Sequence, residues 1–103
     1  MTSSENHLRE IAAQAGLHLQ THECIHGGDI NQAYNQAYKL NCREGRFFLK
    51  LNHASKYPLM FEKEARGLDA LRKSGTLIVP CVISVGALNE QQYLLLEWLE
   101  PGK

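Results

Sequence analysis

Hydrophobic positions change their period several times along the chain, and each change marks an element. Thr2-Ser3-Ser4-Glu5 carries N-cap and capping-box residue types. Leu8, Ile11, Ala12 and Ala15 follow at helical spacing, and Gly16 is a natural stop. This predicts a first helix over roughly 4–15. From Leu17 to Ile25 the period becomes two, with Leu17, Leu19, Thr21, Glu23 and Ile25 alternating with His18, Gln20, His22 and Cys24. His26-Gly27-Gly28-Asp29-Ile30-Asn31 is a turn cluster. Ala33 to Leu40, with Tyr34 and Tyr38, reads as a second strand. Asn41-Cys42-Arg43-Glu44-Gly45 is a turn ending in glycine, and Arg46 to Asn52 is a third strand. Connections this short exclude parallel crossovers, so the three strands form an antiparallel meander.

Pro58 suits the first turn of a second helix, and Met60, Phe61, Ala65, Leu68 and Leu71 give that helix one apolar stripe. Ser74-Gly75 ends it. Val79 to Val85 contains Pro80 and reads as an edge or irregular strand. Leu88-Asn89-Glu90-Gln91 is a hairpin turn, and Gln92 to Leu99 is a long apolar strand. Glu100-Pro101-Gly102-Lys103 resembles a linker. The predicted architecture is α+β: a five-stranded antiparallel sheet, a helix between strands three and four, and an extra N-terminal helix.

Composition narrows the function classes. Apolar residues make up 44% and charged residues 21%, the balance of an ordinary globular domain. A chain of 103 residues predicts one domain. Basic and acidic residues number 11 each, without a basic cluster, which argues against a nucleic-acid surface. No apolar run approaches the ~18 residues of a membrane span, and the N-terminus lacks a signal pattern, so a cytoplasmic protein is expected. Cys24, Cys42 and Cys81 are odd in number and lack C-x-x-C spacing, which suggests neither a disulfide framework nor a zinc site. His18 and His22 would suit a metal only on a helix, and their segment reads as a strand. Cys24 lies near the glycine turn, and an inert thiol is its simplest reading.

Four features can carry chemistry. Lys50 stands mid-strand among Phe47, Phe48, Leu49 and Leu51, where it must snorkel from a wet face or meet an anion. Glu64 falls inside the apolar stripe of the second helix, between Leu68 and Leu71 on one side and Met60 and Phe61 on the other. A carboxylate there is costly unless partnered, and an inward lysine from the preceding strand would partner it. Gly27 and Gly28 permit close backbone approach, and their N–H groups can cradle phosphate, although most such turns are simple hairpins. Tyr93 to Gly102 is a buried strand running toward a hinge whose backbone could read a planar base. The order of glycine turn, strand lysine, helix glutamate and apolar strand into a hinge is that of a protein-kinase-like nucleotide lobe.

The segments His26–Tyr34, Gly45–Asn52, Met60–Leu68 and Tyr93–Leu99 together resemble the opening of the fructosamine kinase family, and the likeness covers nearly the whole chain. The resemblance implies the fold of protein kinases and aminoglycoside phosphotransferases. It implies ATP-dependent phosphorylation of the sugar of ketosamines, such as fructosamines and ribulosamines on glycated lysines, followed by loss of the unstable adduct and repair of the amine. It implies that Lys50 holds the α/β-phosphates and that Glu64 orients Lys50. Gly27, Gly28, Asp29, Ile30 and Asn31 would cover the phosphates, and the backbone of Glu97, Trp98 and Leu99 would receive adenine. The turn departs from a full G-x-G-x-x-G, and an acidic Asp29 beside phosphate is awkward unless it points away. Family members continue into a helical C-terminal lobe that supplies the catalytic and magnesium-binding aspartates; neither motif is present in residues 1–103. The expectation is a nucleotide lobe that catalyses nothing alone.

Two other readings fit the residues. One is the corresponding lobe of a small-molecule kinase of the aminoglycoside phosphotransferase type. The other is a non-catalytic α+β binding module, in which Lys50 and Glu64 face solvent separately. An isolated lobe would also expose apolar surface, so some self-association is expected.

Overall fold

A computed structural model describes residues 3–26, 35–53, 59–75, 78–88 and 90–99. The first helix, α1, spans Ser3–Gln14. Its end is closed by N–H bonds from Gly16 to Ala13 and from Leu17 to Ala12, each 2.9 Å. Strands β1 (Leu19–His26), β2 (Asn35–Cys42) and β3 (Gly45–His53) follow, then α2 (Met60–Ser74), β4 (Val82–Leu88) and β5 (Gln91–Glu97). The sheet order is β1-β2-β3-β5-β4, and every neighbouring pair is antiparallel.

Element boundaries move from the expected ones for local reasons. Cys42 pairs with Gly45, so the turn between β2 and β3 contracts to Arg43-Glu44 and the strands absorb the rest. The turn is braced from outside: the His18 N–H donates to Glu44 Oε1 at 2.9 Å, and His18 Nδ1 lies 2.5 Å from Glu44 Oε2. These bonds, the backbone one first, hold the Glu44 carboxyl down to about 2. The second helix opens at Met60 because Leu59 adopts the left-handed region (φ 62°); Pro58, expected in its first turn, lies outside the described residues. Its other end is a left-handed Gly75 (φ 72°), as expected of a glycine stop. The Pro80 segment precedes the strand rather than lying inside it, and β4 takes the sheet edge. Strand β5 ends at Glu97, leaving Trp98 and Leu99 beyond it.

Strand alternation sends the two faces to different helices. Leu49 and Leu51 of β3, Tyr38 and Leu40 of β2, and Tyr93 and Leu95 of β5 join Leu8, Ile11 and Ala12 of α1 in one core. Leu94 and Leu96 of β5 meet Phe61 of α2 on the other face, with Phe48, Ala65, Leu68, Val82 and Val85 around them. The sheet is thus a middle layer with α1 and α2 on opposite sides. Leu49, Leu94 and Leu95 are fully buried, and burying each such side chain stabilises the fold by about 1.5–3 kcal/mol. The apolar stripe of α2 is narrower than its spacing suggests: Phe61 is buried, whereas Met60 and Leu71 are 36% and 42% exposed.

Candidate nucleotide site

The site lies on the α2 face of the sheet. Along β3, Phe48, Lys50 and Asn52 share that face, opposite Phe47, Leu49 and Leu51. The register sets Lys50 between Ala37 of β2 and Leu94 of β5. On α2, Glu64 lies one turn from both Phe61 and Leu68, the residues that seat the helix on β4 and β5. Seating that stripe carries the carboxylate to the lysine. Lys50 Nζ donates to Glu64 Oε2 at 2.6 Å, with the two side chains 35% and 28% exposed. The strand lysine and the helix glutamate are therefore brought together, an arrangement that an α+β module with two separate wet side chains does not predict. Asn52 secures the start of the helix: it accepts from Gln92 Nε2 at 2.6 Å, and its own Nδ2 lies 3.3 Å from Met60 Sδ.

Beside this pair is a hollow of about 330 Å³ lined by Ile25, Phe48, Pro80, Leu96, Glu97, Trp98 and Leu99. Phe48 joins the hollow to Lys50, since the two alternate along β3 and stand ~7 Å apart on one face. The walls are apolar side chains, so polar recognition falls to the backbone that leaves β5. There the Glu97 N–H donates to the Cys81 carbonyl at 2.9 Å, and the Trp98 N–H to the Arg46 carbonyl at 3.3 Å. Among the described residues the Leu99 N–H has no acceptor. The Glu97 side chain turns back to accept from the Cys81 N–H at 3.2 Å, which fastens the segment carrying Pro80 against the end of β5. The hollow can take a flat apolar ring, offer it one backbone donor, and present a cation a short way along the sheet.

Of the residues expected from sequence, Lys50 and Glu64 meet, and Glu97, Trp98 and Leu99 line the hollow. Gly27, Gly28, Asp29, Ile30 and Asn31 lie outside the described residues. Sequence reasoning missed Ile25, Phe48, Pro80 and Leu96 as lining residues. Ile25 and Phe48 were visible as strand positions, but Ile25 falls at a register irregularity of β1 on β2, between Cys24 and His26, which strand period alone does not reveal.

A family model described as fructosamine kinase matches residues 1–103. A "Probable ketoamine kinase" of Synechocystis sp. is 40% identical over 85 residues, covering 82% of this chain and 27% of that protein. The chloroplastic protein-ribulosamine 3-kinase of Oryza sativa subsp. indica is 39% identical over 79 residues, covering 76% of this chain and 22% of its own length. The crystal structure of a protein described as a fructosamine-3-kinase from Haemophilus somnus 129PT superposes with a TM-score of 0.73 at 29% identity, covering 93% of this chain and 32% of that one. The chain spans about a quarter of the length of the curated relatives it matches.

Proposed function

Because the chain belongs to the fructosamine kinase family, we propose that it is the ATP-binding lobe of an enzyme that phosphorylates the sugar of ketosamines and so initiates their removal from amines. The observation that carries this proposal is the Lys50–Glu64 pair, 2.6 Å apart on the sheet face that also holds the hollow. The residues present fit ATP. The hollow accepts the adenine ring, the Leu99 N–H supplies a donor to it, and Lys50 reaches the phosphates along β3. Glu64 fixes the rotamer of Lys50, so that the ammonium is positioned before the nucleotide arrives. Gly27 to Asn31 are proposed to close over the phosphates with backbone N–H groups.

When bound, ATP supplies the phosphoryl group; the described residues bind and orient it. Among them no three His, Cys, Asp or Glu side chains stand together, and Glu64 is engaged by Lys50. Magnesium takes carboxylate and phosphate oxygens, so its protein ligands are assigned to the lobe that follows in the longer relatives. The ketosamine and the residue that activates its hydroxyl are assigned to that same lobe. A cytoplasmic setting is proposed from the three cysteines, which are thiols, as suits a reducing compartment.

The test is phosphoryl transfer from MgATP to fructosyl-lysine, measured on the longest natural reading frame that contains this chain. Transfer that disappears in Lys50→Ala is the expected result. ATP binding without transfer would move the substrate to another small molecule, and transfer by residues 1–103 alone would overturn the division of labour between lobes.

A further inference from the structure

Trp98 is the only tryptophan of the chain, and it is one of the residues that line the hollow. No hydrogen bond holds that ring: the indole N–H is buried without an acceptor among the described residues. Two contacts hold it instead. Phe48 stacks against it, with centroids 6.1 Å apart and planes 25° from parallel. The Lys39 ammonium sits 4.7 Å from its centroid, within the range of a cation–π contact.

The position of Lys39 is informative. On β2 it is paired directly with Phe48 on one side and with Glu23 of β1 on the other. Opposite charges facing each other across a strand pair usually meet. Here the ammonium reaches the indole instead, and among the described residues no ion pair joins Lys39 to Glu23. Lys39, Phe48 and Leu96 form one row across β2, β3 and β5, and Trp98 lies against the first two. The lysine therefore closes a stack whose aromatic members line the hollow.

We propose that Lys39 is a positioning residue of the nucleotide site, holding the Trp98 indole against Phe48 so that the hollow keeps the shape of a flat base. This rests on the nucleotide assignment above. Lys39 acts through Trp98 and not on the phosphates, which separates its role from that of Lys50. Binding then avoids the loss of freedom of a loose indole. The charge matters more than the chain length, so arginine replaces lysine here and methionine does not.

The test uses the 103-residue chain, with circular dichroism confirming that each variant folds. Without nucleotide, Lys39→Met is expected to shift the emission of Trp98 and raise its quenching by acrylamide, and Lys39→Arg is expected to restore both. In titrations, Lys39→Met weakens adenosine, ADP and ATP by the same factor, about threefold to tenfold for a cation–π contact of this kind. In a Trp98→Ala background the same substitution has no effect. Unchanged emission in Lys39→Met would overturn the proposal. So would a loss that grows with the number of phosphates, which would make Lys39 a phosphate ligand. If the unaltered chain takes up none of the three nucleotides, the nucleotide assignment fails, and the emission arm still decides whether Lys39 holds the stack.

Discussion

Replacing Glu64 by glutamine keeps the length of the side chain and removes the charge that Lys50 faces. At the observed 2.6 Å, the Coulomb attraction of the pair is about 6 kcal/mol for the effective dielectric typical near a protein surface. That is a ceiling. Both side chains are roughly one-third exposed, so water screens the attraction and part of each hydration shell is given up to form it. The net contribution falls to about 0.5–1 kcal/mol. For a chain of this size, 1 kcal/mol corresponds to about 4–8 °C in Tm. The assay is a double-mutant cycle of Glu64→Gln and Lys50→Met, read from urea unfolding at low salt and again at 1 M salt. The expected coupling is favourable at low salt and shrinks at high salt, where the Debye length is about 3 Å. Nucleotide affinity separates the partners: Lys50→Met removes the cation, whereas Glu64→Gln only loosens it, so the lysine variant loses more. Coupling below about 0.3 kcal/mol, the scatter of independent sites, would refute the claim that the two side chains act as a unit.

Gly86 of β4 faces Tyr93, and a Cβ there would stand 2.7 Å from the phenolic oxygen and 2.9 Å from Cζ. Gly86→Ala should displace the ring, break its 2.8 Å bond to Gln14 and cost about 1–3 kcal/mol by urea unfolding, a loss that Tyr93→Phe relieves only in part. His7 titrates below its ordinary 6.5, chiefly because burial disfavours its charged form, with Glu10 and Gln91 opposing. The unfolded chain therefore binds more protons as pH falls through 6.5, and the stability present above that pH is progressively lost below it. The urea midpoint should drop between pH 7.5 and 5.5, and by less in His7→Gln. Burial pushes the Cys42 thiol up, with the Glu44 charge adding to it. A disulfide reagent should thus label exposed Cys24 in the native chain and Cys42 only on unfolding.

Much of this fold is legible in one dimension. Seven elements in order and a glycine stop at each helix end follow from period and punctuation, and so does the edge position of β4, although Pro80 itself precedes that strand. So does the Lys50–Glu64 pair, because a charge in an apolar strand and another in an apolar helix stripe each lack a local explanation. The hollow was not legible. Its lining comes from β1, β3, the end of β5 and the segment before β4, and only strand register decides which side chains share a face. Phe47 and Phe48 show the difficulty: adjacent and chemically identical, they turn to opposite helices. The stripe of α2 misled in the other direction, since Met60 and Leu71 have the spacing of core residues but lie at its wet margins. The stack of Lys39 on Trp98 joins residues far apart in sequence, and composition carries no sign of it.

The strand order has a consequence for how the chain reaches this state. Strands β1, β2 and β3 are sequential neighbours, and β4 and β5 are joined by a tight turn, so the five strands can zip locally as a group of three and a pair. The seam between β3 and β5 is different: it unites residues 40 positions apart, as in the Asn52–Gln92 bond, and α2 must be in place to bridge it. Closing that seam carries the loop entropy, so it should set the folding barrier. Truncating Leu94 or Leu96 should then slow folding, while truncating Leu40 in the local meander should chiefly speed unfolding. The same seam holds one strand bearing Lys50 and one strand leading to the hollow, so the two halves of the proposed nucleotide site form together, in the slowest step.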